Sequence, residues 1–236
     1  MLKILWQMIG KSPSVDGIIA SPLDTPLMDK ALKKAQEKGI KIVLLSRKTS
    51  GDFFDIFIAP DNFKIAKSAA EFLLQTMEYK GTILMLQGVD GVSTTKARKE
   101  GFEFIAKLYL EVKIIKKRGN FLRSDFIKIM EEIHKEGVEF DAIYSHSDSM
   151  LVSVREVMKR LEKDKSIPMV GIDYIKATQE ALINGKQSAS FTYPTVAKEG
   201  VEAMVKLIEG ETLPKKIQVE SIKVTFENAS IVEPIF

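Results

Sequence analysis

The chain has 236 residues, 45% hydrophobic and 28% charged, with a formal net charge of +3 and no cysteine. That length holds one large or two small domains with ample core, and the composition is that of a globular chain rather than a disordered one. Without cysteine there are no disulfides, thiol nucleophiles or cysteine-based zinc sites, and no run of about 18 apolar residues exists to make a transmembrane helix.

In MLKILWQMIG (1–10), Leu2, Leu5, Trp6 and Ile9 recur at helical spacing and Gly10 stands where a helix would stop. Lys3, Gln7 and Lys11 break the apolar run that a signal peptide needs, and no small-residue cleavage motif follows. A short amphipathic helix is therefore expected here.

Strand and helix patterns then alternate. Strands are expected at 15–21, 40–46, 54–60, 82–88, 111–118, 140–146, 167–173 and 187–194, and helices at 25–39, 61–81, 93–110, 124–137, 147–163, 175–185 and 195–210. Thr25, Asp61 and Ser93 stand as helix caps, Pro26 at a first helical position, and Gly39 and Gly137 at helix ends. The strand at 111–118 alternates in character, as at a sheet margin, and a last extended stretch covers 217–225. Continuous apolar strands joined by helices of 10–17 residues imply right-handed crossovers and parallel sheets covered on both faces, an α/β fold. The densest basic run, KIIKKRGNFLR (113–123), fits a strand and its exit loop, so no nucleic-acid partner is expected.

In open α/β sheets, ligands bind at the carboxyl ends of the strands. The residues there are Ser46-Arg47, Gly88 to Gly91, Asn120-Phe121, Ser147-Asp148, Asp173-Tyr174 and Tyr193. No dinucleotide glycine fingerprint, phosphate-binding loop or nucleophile-elbow motif occurs, so an enzyme is not expected. His146 lies beside Ser145 and Ser147, but neighbouring strand residues point to opposite faces, which argues against a catalytic pair. His134 sits in a charged helical segment, and the acidic residues lack metal-ligand spacing.

Neutral polar ligands suit these strand ends better. Arginine and aspartate offer forked donors and paired acceptors to vicinal hydroxyls, and an aromatic ring stacks on the apolar face of a sugar. Local roles stand beside this reading: Asp148 as cap of a helix at 148–163, Asp173 as cap of a helix at 175–185, Arg98 paired with a helical neighbour.

The chain resembles the type I periplasmic sugar-binding proteins, most closely their ribose-binding branch. The resemblance is carried by IKIVLLSR (40–47), IAPDN (58–62), GVSTTKARKEGF (91–102), NFLRSDF (120–126), DAIYSHSDSM (141–150), PMVGID (168–173) and INGKQSASFTYP (183–194). It implies two Rossmann-like lobes with parallel sheets, 1–60 with 194–220 and 61–193 with 221–236, joined by three crossovers and closing on a sugar by a hinge. Arg47 and Arg98 would donate to hydroxyls, Asp173 would accept bidentately, and Phe121 would stack. Ser46, Ser147 and Tyr193 stand where the family has Asp, Asn and Gln, which points to another sugar or a weakened site.

The family begins with a strand, a helix and a second strand ahead of the segment matching residues 1–10. The resemblance thus implies a first lobe truncated at its N-terminus and an uncovered apolar edge at 15–21. A homodimer through residues 1–21 is expected in consequence. The implied partners are a sugar and an ABC permease or membrane receptor, in the periplasm or outside the cell, with no cofactor. The alternatives are the sensing core of a receptor or repressor of the same fold, or a fragment with a weakened or absent sugar site.

Overall fold

The computed structural model describes residues 1–10, 15–161 and 167–235. In chain order the elements are α1 (Leu2–Gly10), β1 (Gly17–Ala20), α2 (Pro26–Glu37), β2 (Lys41–Leu45), β3 (Ile56–Pro60), α3 (Asn62–Thr76), β4 (Gly81–Gln87), α4 (Ser93–Ala106), β5 (Val112–Arg118), α5 (Arg123–Lys135), β6 (Ala142–Ser145), α6 (Asp148–Arg160), β7 (Met169–Val170), α7 (Lys176–Ile183), β8 (Ser190–Phe191), α8 (Ala197–Ile208), β9 (Lys216–Val219) and β10 (Lys223–Val224). They fall into two units. Unit 1 holds Met1–Asp61, Gly91–Thr94 and Thr195–Glu220, and unit 2 holds Asn62–Asp90, Thr95–Pro194 and the chain from Ser221 onward.

Unit 1 is built on a parallel sheet of order β1-β2-β3-β9. One face buries Ile18, Ile42 and Leu44 against Met28, Leu32 and Ala35 of α2, with Leu5 and Ile9 of α1 in the same cluster. The other buries Val43, Ile56 and Ile58 against Ala203, Met204 and Leu207 of α8. Each such Val, Leu, Ile or Met side chain contributes about 1.5–3 kcal/mol relative to exposure. α8 lies so near β1 that a Cβ on Gly17 would fall 2.2 Å from Met204 Sδ. Thr25 caps α2 as expected: its side chain accepts the Met28 N–H at 3.2 Å, with Pro26 next in the chain. Gly39 follows the helix with φ +77°. Ser93, expected as the cap of the next helix, is the first residue of α4, and its Oγ accepts the Lys48 N–H at 3.1 Å.

Unit 2 is built on a parallel sheet of order β5-β4-β6-β7. Ile65, Ala69 and Leu73 of α3 and Phe102 of α4 pack on Ile83, Met85 and Tyr144, with the Phe102 and Tyr144 rings stacked at 4.1 Å between centroids. Phe126, Met130 and Ile133 of α5 and Leu151, Val154 and Val157 of α6 cover Leu84, Leu86 and Ile143 on the other face. β5 is an edge strand whose residues are half-buried or exposed, as its alternation predicts.

Several expected elements differ: the strand expected at 187–194 is regular only at Ser190–Phe191, and the helix expected at 93–110 stops at Ala106. The helix expected at 61–81 stops at Thr76, because Glu78 and Tyr79 take positive φ. The strand expected at 167–173 is regular only at Met169–Val170, and the chain turns at Asp173 and Tyr174 with φ +118° and +58°. The extended stretch 217–225 is two strands: β9 lies parallel to β3 in unit 1, and β10 pairs antiparallel with β8 in unit 2. The end of the helix expected at 147–163 lies outside the described residues.

Candidate functional site

Four of the expected ligand residues are joined by contacts at the carboxyl end of the unit 2 sheet. Arg98 comes from α4 and is 4% exposed. Its Nε donates to Asn62 Oδ1 at 2.8 Å, one Nη donates to the His146 carbonyl, and that Nη lies 3.8 Å from Asp173 Oδ1. The guanidinium also sits 4.6 Å from the Tyr193 ring centroid, a cation–π contact, and the Tyr193 hydroxyl accepts from Asn62 Nδ2 at 3.1 Å. The charge is therefore held in one orientation by groups from α3, the end of β6, the turn after β7 and the segment after β8.

Asp173 ends the β7 segment, where the left-handed turn projects its carboxylate. Asp173 Oδ2 accepts from Ser147 Oγ at 2.6 Å. Burial raises the Asp173 pKa, while the Arg98 charge and the Ser147 hydrogen bond act against that rise. About a quarter of the side chain, 23%, faces solvent.

Ser147 and Phe121 are placed by local backbone geometry. Ser147 is the N-cap of α6, with its Oγ accepting the Ser149 N–H at 3.3 Å. Phe121 stands in a turn where Asn120 and Phe121 both have positive φ, +50° and +61°. Its ring covers Gly88 at the end of β4 so closely that a Cβ there would lie 1.9 Å from Phe121 Cζ. Ser46 and Arg47 belong to unit 1 and follow β2. Ser46 has φ +59° and donates its N–H to the Ile58 carbonyl at 2.9 Å, and both residues are half-buried.

The three local roles weighed from sequence do not hold. Ser147, not Asp148, caps α6, and Asp148 is fully buried. Ile175, not Asp173, occupies the cap position of α7, because Asp173 is committed to Ser147 and Arg98. Arg98 pairs across the sheet end rather than along its own helix. The Ser–His pairing is likewise absent: Ser145 Oγ donates to the Ser147 carbonyl, and neither ring nitrogen of fully buried His146 has a hydrogen-bond partner among the described residues. Burial and the nearby Arg98 charge push its pKa down to about 3, so the ring is neutral.

Asn62 was not among the residues singled out from sequence, although it binds both Arg98 and Tyr193. The available signal was its place, a short polar residue directly after the β3 crossing. Among the described residues no group of three His, Asp or Glu could hold a metal, and no helix is long and apolar enough to cross a membrane.

Residues 1–212 match the family model of the periplasmic binding protein domain. The chain belongs to that family, and its fold is the type I periplasmic binding protein fold. Among curated relatives, the ribose import binding protein RbsB of Bacillus subtilis is 26% identical over 205 residues, covering 86% of this chain and 66% of that protein. The galactofuranose-binding protein YtfQ of Escherichia coli is 27% identical over 214 residues, covering 86% of this chain and 67% of that protein. The chain thus spans about two thirds of the length of these relatives. Among solved structures, a solute-binding protein from Bacillus halodurans with bound myo-inositol matches with a TM-score of 0.91 at 23% identity, over 97% of this chain and 80% of the other. The fructose-binding periplasmic domain of a hybrid two-component system matches with a TM-score of 0.91 at 24% identity, over 98% and 77%. These two establish the fold. The names of all four describe binding proteins.

Proposed function

We propose that this chain is the sugar-binding component of an ABC importer, taking a pentose or hexose in the periplasm or outside the cell. The observation that carries the reading is the Arg98–Asp173–Ser147 array, pinned by Tyr193 and Asn62 in the same unit as the exposed turn of Phe121. Arg98 would donate to a sugar hydroxyl, Asp173 would accept from one or two, and Phe121 would stack on the C–H face. Ser46 and Arg47 are the further proposed ligand residues, Arg47 as a donor to a hydroxyl. Ser46, Ser147 and Tyr193 offer single hydroxyls where the ribose-binding branch has forked groups, so the sugar need not be ribose.

The test is thermal melting against ribose, allose, arabinose, fructose, galactofuranose, D-fucose and myo-inositol. At a hundredfold excess over Kd the right sugar adds about 2.7 kcal/mol, or about 5–11 °C in Tm for a chain of this size. No shift with any of them would overturn the reading. A sensing role is the second reading, favoured by the match to the fructose-binding domain of a two-component system. Adjacent permease and ATPase genes support transport, and an adjacent kinase gene supports sensing.

We also propose that residues 1–21 join two copies of the chain. β1 is an outer strand of its sheet with Ile19 exposed on it, and Ile4 and Trp6 are exposed on α1. A strand edge is self-complementary when two copies meet antiparallel about a twofold axis.

A further inference from the structure

Beneath the ligand-facing groups of unit 2 lies a second, fully buried carboxylate with no place in the proposed contact set. Asp148 Oδ2 accepts the Tyr174 N–H at 2.8 Å and the Ser190 hydroxyl, and its Oδ1 accepts from Gln187 Nε2 at 2.7 Å. Its own N–H donates to the Ile172 carbonyl at 2.7 Å. The residue therefore grips the chain on both sides of Asp173, by the peptide group before it and the one after it. Gly171 is the reason it can come so near: a Cβ there would lie 1.9 Å from Asp148 Oδ1.

The segment so gripped is the one in left-handed conformation, at φ +118° for Asp173 and +58° for Tyr174. Non-glycine residues hold such φ values only where their surroundings over-determine them. We propose that Asp148 is a positioning residue for Asp173, holding the 172–174 turn so that the Asp173 carboxylate stays beside Arg98 and available to a ligand hydroxyl. This rests on the sugar-binding reading for its consequence in affinity, but the grip itself concerns the unliganded chain.

The proposal carries a pH signature. Three donors converge on Asp148, an arrangement that suits the ionised carboxylate. Burial nevertheless pushes its pKa up to about 7, with the neighbouring Asp173 adding to the rise and the hydrogen bonds from Ser190, Gln187 and Tyr174 opposing it. The charged and titratable groups facing it are Asp173 on the turn, with Arg98 beyond it, the Tyr174 phenol, and Arg155 of α6, which donates to Gln187 Oε1. As pH falls through about 7 the carboxyl takes up a proton, must itself donate, and loses one of its three acceptances.

The experiment follows the Tyr174 amide of the unliganded chain by NMR between pH 5.5 and 8.5. The amide is expected to titrate near pH 7 in the natural sequence and to lose that titration in Asp148→Asn. In Ser190→Ala the midpoint is expected at higher pH, since a donor that favours ionisation is gone. With the sugar found by melting, Asp148→Asn is expected to weaken binding by about tenfold and to flatten its pH profile between 6 and 8. A Tyr174 amide that does not titrate, a Ser190→Ala midpoint that stays put, or an Asp148→Asn chain with unchanged affinity and pH profile would each overturn the proposal. If no sugar binds, the functional reading falls, and the amide titration still decides whether Asp148 holds the turn.

Discussion

Asn62 joins Arg98 to Tyr193 with a single carboxamide, accepting from the guanidinium and donating to the phenol. Asn62 is only 8% exposed, so water cannot easily substitute for either contact. Asn62→Ala removes both and leaves Arg98 with the His146 carbonyl, Asp173 and the Tyr193 face. We expect sugar affinity to fall by about tenfold, measured calorimetrically, with the far-ultraviolet circular dichroism unchanged. Asn62→Asp keeps the acceptor for Arg98 and accepts a hydrogen bond from the Tyr193 hydroxyl, so it is expected to restore most of the affinity. This residue escaped sequence reading for a physical reason: its role comes from partners 36 and 131 positions away, and no local spacing encodes such a meeting. Ser147 and Asp173 were legible because strand ends in an α/β chain define where ligands go, Phe121 and Tyr193 because aromatics there have a use, and Arg98, inside α4, only through the family resemblance. Their alternative roles as caps and helical partners could be set aside only once the side-chain directions were known.

At the scale of an element, β4 and the turn after β5 form one working part. Gly88 follows β4 without positive φ, so an alanine there meets no backbone strain; the obstacle is the Phe121 ring. Gly88→Ala should push that ring from its seat at a stability cost of about 1–3 kcal/mol. We expect the variant to fold and to bind sugar at least tenfold more weakly, read by calorimetry beside a melting curve. If affinity is unchanged, Phe121 does not stack on the ligand. The helices and strands themselves were legible from periodicity, caps and glycine stops, since α2 begins at its Thr25 cap and α5 ends just before Gly137. What was not legible was where one extended run serves two sheets. Residues 217–225 look uniform, yet Lys216–Val219 pairs with β3 and Lys223–Val224 with β8. Partner choice is made by tertiary register and leaves no local trace.

For the molecule as a whole, the two units have separate cores, and the smaller one carries the exposed apolar residues at its first helix and outer strand. If residues 1–21 join two copies, light scattering at rising concentration should report a mass approaching twice 26.5 kDa. Ile19→Lys, which sets a charge on the outer strand, should return the mass to that of one chain with little change in stability. A single-chain mass at every concentration would sink the idea.

Trp6 is the only tryptophan in the chain, and it is 44% exposed on α1. Its emission is therefore a built-in optical reporter, free of background from any other indole. Self-association through α1 would shift that emission to the blue as the indole leaves water, and the concentration at the midpoint would give the dissociation constant without a label.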